Sequence, residues 1–92
     1  MTKDKKKKAA ALKYSPSMNA PRVVAAGEGW LAAKIITAAR EAGVPVREDP
    51  ALAEALVQVP VGEEIPPELY QAVAEVLAVI MRAEEKASSR KG

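Results

Sequence analysis

Apolar residues along the chain alternate between two periods, and the switches mark the elements. Ala9 to Tyr14 is short and apolar, and Ser15, Pro16, Ser17 and Asn19 follow it with turn chemistry, so a strand and a loop are predicted. Pro21 closes the loop, and Val23 and Val24 within Arg22 to Ala26 predict a second strand that ends at Gly27. From Glu28 the period becomes helical. Leu31, Ile35, Ala38 and Ala42 share one face with Arg40 opposite, and Gly43 supplies a left-handed cap.

Val44 to Glu48 reads as another extended piece, which makes Arg22 to Glu48 a parallel strand-helix-strand unit with a right-handed crossover. Asp49 before Pro50 is a helix start, since the carboxylate accepts a free backbone N–H and the ring presets the first turn. A short helix over Pro50 to Leu56 follows. Val57 to Val61 alternates like a strand, although Pro60 restricts it to an edge or an irregular segment. Pro66, Pro67 and Glu68 open the longest helix, predicted to run to about Glu85. The expected fold class is α/β: a small sheet of three to four strands with a parallel strand-helix-strand unit, packed by three to four helices.

Charge divides the chain into a body and two tails. Met1 to Lys8 holds five lysines against Asp4, and Lys86, Arg90 and Lys91 make the end basic. Between them, Ala9 to Glu85 carries six basic residues against eleven acidic ones, a net of minus five. The organisation read from this is a disordered basic tail over 1–8, a domain over 9–85 and a disordered tail over 86–92. Nucleic acid is not expected as a partner, because the body lacks clustered positive charge and stacking aromatics. Lys5 to Lys8 offer an anionic membrane surface only weak contact, at roughly 1 kcal/mol per residue near the headgroups, and a solvated tail is the preferred reading. No apolar run approaches the ~18 residues of a membrane span, and the start lacks a signal-peptide core, so a cytoplasmic location is expected.

The chain has no cysteine and no histidine, which removes disulfides, Cys/His metal sites and imidazole- or thiolate-based catalysis. No metal or cofactor is expected. Ser15, Ser17 and Thr37 have no evident base, and the neighbours Glu48 and Asp49, like Glu63 and Glu64, point to opposite faces in extended chain and do not share a site by adjacency. An enzyme is not expected.

Two local features invite a binding role. Gly27-Glu28-Gly29-Trp30-Leu31-Ala32, with Glu48 twenty-one residues on, has the layout of a dinucleotide fingerprint. A chain this short holds one half of such a site, so a tight turn is the preferred reading and a small nucleotide-binding protein using Gly27 and Gly29 the alternative. The last helix carries two apolar stripes. Leu69, Val73, Val76, Ile80 and Ala83 face the sheet, and Tyr70, Ala74, Leu77 and Met81 form a second stripe that one small sheet cannot fully cover.

Ala11-Leu12-Lys13-Tyr14, Ala20-Pro21-Arg22-Val23-Val24-Ala25, Ala33-Lys34-Ile35 and Gly43-Val44-Pro45-Val46 resemble the cytoplasmic domain of the FlhB/YscU type III export switch family. The run Pro50 to Leu56, then Val61-Gly62-Glu63-Glu64-Ile65-Pro66, then Leu69 to Ala78 continue in that family's order. The resemblance implies a sheet of about four strands at the mouth of a flagellar or injectisome export gate. It also implies contacts with export substrates, the length ruler and gate components, and a switch in substrate class after self-cleavage. Its substrate-binding patch falls on Ala20, Pro21, Ala74 and Leu77. Two departures stand out. The family's transmembrane helices are not seen ahead of the domain, and Asp4-Lys5-Lys6-Lys7 stands where the cleavage motif Asn-Pro-Thr-His belongs. The only asparagine, Asn19, precedes Ala20, so self-cleavage is not expected. The chain thus looks like a stand-alone counterpart of the carboxyl-terminal cleavage product, with an exposed sheet edge.

Overall fold

The computed structural model describes residues 7–91, with side chains described through residue 83. Strand β1 (Lys8–Lys13) pairs antiparallel with β2 (Arg22–Glu28), and helices α1 (Trp30–Glu41), α2 (Pro50–Leu56) and α3 (Tyr70–Lys91) follow, α3 entered through a 3-10 turn at Pro67–Leu69. Met1 to Lys6 of the expected tail lie outside the described residues, whereas Lys8 already belongs to β1.

A one-residue irregularity in the hairpin decides what reaches the core. Leu12 faces Val23 and Ala11 faces Ala25, so Val24 is the extra residue of a bulge and stays 46% exposed. The bulge resets the side-chain alternation, which brings Val23 and Ala26, three residues apart, to one face. That face, with Ala10 and Leu12, packs on the main core of Val23, Leu56, Val59, Ile65 and Val73. Fully burying one such side chain contributes about 1.5–3 kcal/mol.

No α1 residue belongs to that cluster, yet α1 packs on both strands. It therefore covers the other face, floored by the small residues Ala9, Ala11, Ala25 and Gly27. Ala32 is completely buried there, and Ile35, Ile36 and Ala39 are half-buried. The predicted inward face of this helix was turned by about one residue, since Leu31 is 45% exposed and Ala38 and Ala42 are exposed. Small floor residues allow close approach, and that favours alanine over leucine at the contact.

The parallel unit is not formed. Residues 44–49 carry no strand and are exposed throughout, because α1 ends in a Schellman motif that turns the chain away: Gly43 (φ 76°) donates to Arg40 and Val44 to Ala39. Val57 to Val61 is likewise a turn and not a strand. Instead, the chain after it clips onto β2. The Val23 N–H donates to the Glu63 carbonyl, Gly62 to Val23 and Ile65 to Pro21, which makes a single antiparallel bridge between Arg22 and Glu64. The sheet is thus two strands plus this clip, fewer than the three to four expected.

Helix α2 keeps its expected bounds, whereas α3 runs past its own. Helix α2 starts where predicted, with Asp49 Oδ1 accepting from the Leu52 N–H at 3.1 Å. Helix α3 continues to Lys91, past Glu85 and through the stretch read as a disordered tail, since 86–91 contains neither glycine nor proline to stop it.

Candidate partner-binding surface

The clip positions the candidate surface. Ser15 and Met18 close the β1–β2 loop with a 2.9 Å backbone bond, and Ala20 and Pro21 then enter the protein interior. Pro21 has no N–H to satisfy, and its carbonyl accepts from Ile65 at 2.9 Å. The Arg22 guanidinium holds the opposite side of the clip, donating to the Gly62 carbonyl at 2.8 Å and lying 3.9 Å from the Glu64 carboxylate. Both side chains are more than 40% exposed, so the ion pair adds little to the hydrogen bond.

Ile65, 2% exposed, carries the chain from this clip to Pro66 and the 3-10 turn, and α3 leaves from there. The first stripe of α3 turns inward: Val73 is buried and Leu69, Val76 and Ile80 are half-buried, while Ala83 is exposed. On the second stripe Tyr70, Ala74 and Met81 are exposed, and Leu77 is half-buried against the core cluster. The four expected site residues therefore differ in access. Ala20 is 2% exposed and Pro21 is buried, Leu77 is half-buried, and Ala74 is open. Pro21 is tied to Ile65 by a backbone hydrogen bond and Leu77 packs against the cluster to which Ile65 belongs, whereas Ala74 is not part of that packing. Of the four, only Ala74 and part of Leu77 are accessible from solvent.

The glycine fingerprint has a structural role. A Cβ on Gly27 would overlap the Leu31 side chain, which folds back over it. Gly29 adopts φ 59° as the residue before α1, and its N–H donates to the Lys7 carbonyl at 2.7 Å. With one of the turn's donors occupied and Glu48 on no strand, the layout of a dinucleotide site is not formed. The paired carboxylates are equally accounted for, Asp49 as a helix cap and Glu64 as the partner of Arg22.

Of the exposed apolar positions that sequence reasoning missed, Trp30 at 74% and Val61 at 59% are the most open. For Trp30 a signal existed: one position before Leu31, it lies about 100° round the helix from the predicted inward face.

Comparison with known proteins accords with this architecture. The family model described as the FlhB HrpN YscU SpaS Family matches residues 6–80. The uncharacterized protein YlqH of Bacillus subtilis is 41% identical over 86 residues, covering 92% of both chains. The flagellar biosynthetic protein FlhB of Aquifex aeolicus is 48% identical over 80 residues, 85% of this chain but 23% of that protein. The chain thus spans about a quarter of that FlhB. Among solved structures, the cytoplasmic domain of FlhB from Shewanella putrefaciens superposes with a TM-score of 0.83 at 33% identity, covering 90% of this chain and 69% of that one. The PscU C-terminal domain gives 0.76 at 33% identity, over 80% and 96%.

Proposed function

Because the chain belongs to the FlhB HrpN YscU SpaS family, we propose that it is a non-enzymatic binding module of a flagellar or type III protein export apparatus. In this reading it resembles the C-terminal cleavage product of FlhB, works at the cytoplasmic face of the membrane, and contacts export substrates or gate components. Among the described residues no helix is long and apolar enough to cross a membrane.

The observation that carries the reading is the open Ala74 beside the half-buried Leu77, on a helix whose first turns are anchored through Ile65 to the Ala20–Pro21 loop. Small residues beside one leucine make a shallow surface suited to a peptide with one or two apolar anchors, and hence to transient contact of micromolar order or weaker. No Asn-Pro bond exists in the chain, so the binding role does not depend on self-cleavage, and an intact-mass spectrum should show one unbroken species after days at neutral pH.

Ala74→Asp tests the site. The substitution puts an unpaired charge at an apolar contact, so binding of an export-substrate N-terminal peptide should be lost while the circular dichroism spectrum stays unchanged. Unchanged affinity would place the site elsewhere, and an unfolded variant would show that Ala74 is core.

A further inference from the structure

The outward side of α1 does not look like a solvated face. Trp30, Ala33, Lys34, Thr37, Ala38 and Glu41 line a shallow groove of about 330 Å³ along the side opposite Ala32. Trp30 is the only tryptophan and is 74% exposed, with the Lys34 ammonium 4.7 Å from the centre of its ring. Just past the far end of the helix, Val44 and Val46 are 50% and 40% exposed. A large aromatic side chain thus stands at one end of the groove.

We propose that this face docks a second copy of the chain, α1 against α1, antiparallel about a two-fold axis. The charges carry the argument. Lys34 and Glu41 are seven residues apart, two helical turns and about 10 Å along one face. A two-fold axis midway between them passes at Thr37 and Ala38, so Lys34 of each copy meets Glu41 of the partner subunit. The small residues at the axis allow interaxial approach near the lower end of the usual range, about 8 Å. Trp30 lies one turn before Lys34 and therefore lands about one turn beyond Glu41 of the partner subunit, against the Schellman turn that ends the partner's α1. The interface is isologous, as two-fold contacts must be. A single helix pair buries area at the low end for specific association, so the expected Kd is on the order of 100 µM. This pairing uses a different face from Ala74 and stands independently of the export reading.

Sedimentation of the full chain from 5 µM to 1 mM, with tryptophan emission read across the same series, tests the proposal. Mass should rise from 9.7 kDa toward twice that value as the emission shifts to the blue. Lys34→Glu or Glu41→Lys alone should raise Kd at least tenfold without altering the circular dichroism spectrum, because both residues are exposed. The double variant Lys34→Glu/Glu41→Lys should restore association, since the two-fold axis re-pairs the swapped charges. A monomer at 1 mM, a dimer with unshifted emission, or a double variant that stays weakened would each overturn the proposal.

Discussion

The tripeptide Val-Pro-Val occurs twice, at 44–46 and at 59–61, and the two copies have opposite fates. In the first, both valines are at least 40% exposed and the chain runs free to the cap of α2. In the second, Val59 is buried although Val61 is 59% exposed, and from Gly62 on the chain makes three backbone hydrogen bonds with Pro21 and Val23. The tripeptide alone does not decide. What differs is the sequel: Arg47-Glu48-Asp49 offers nothing to bury, whereas Gly62-Glu63-Glu64-Ile65 provides a turn at φ 97° and an isoleucine that fills the core. An apolar anchor within four residues, with a glycine to aim it, brings the chain that follows the tripeptide against β2 as a single bridge.

Ile65→Ala breaks the comparison most severely. Removing a side chain that is 2% exposed should cost about 2–5 kcal/mol, read as a lower urea midpoint; a cost under about 1 kcal/mol would mean the clip is not seated in the core. Gly62→Ala isolates the turn. A Cβ there meets nothing within 4 Å, so any loss comes from the backbone angle alone and should be about 1–3 kcal/mol by thermal melting. An unchanged melting temperature would show that the positive φ is not required. Asp49→Ala acts on the first copy, where the chain ends in a cap and no clip forms. It removes the bond to Leu52 and should cost about 1 kcal/mol, with no effect refuting the cap. Val46→Ala should stay within about 0.5 kcal/mol, and a larger loss would reveal a contact that the first copy does not show.

Much of this was written in local chemistry. The second strand, the Asp49-Pro50 start, the Gly43 cap and the inward stripe of α3 follow from residues that act within a turn or two of themselves. The clip was not legible, because its partners are remote in sequence and its anchor lies just beyond the alternation that suggested a strand. The phase of α1 was lost for a related reason: the tight fit selects Ala32, while Leu31 packs back over Gly27. Of the candidate site, Ala74 and the partial cover of Leu77 agree with the two-stripe reading. The burial of Ala20 and Pro21 depends on the clip and could not be seen without it.

The clip also sets an order of events for folding. Arg22 reaches Gly62 across forty positions of sequence, and of the five buried cluster residues only Val23 comes from the hairpin. A two-stranded hairpin is marginal in water on its own. On a ribosome, β1 and β2 can gain α1 on one face early, but the face that carries Val23 must wait until Ile65 and the first turns of α3 have emerged before its core is complete. Closing that long loop is the entropic barrier, so the chain should fold as one late, cooperative step, more slowly than a helical bundle of its size.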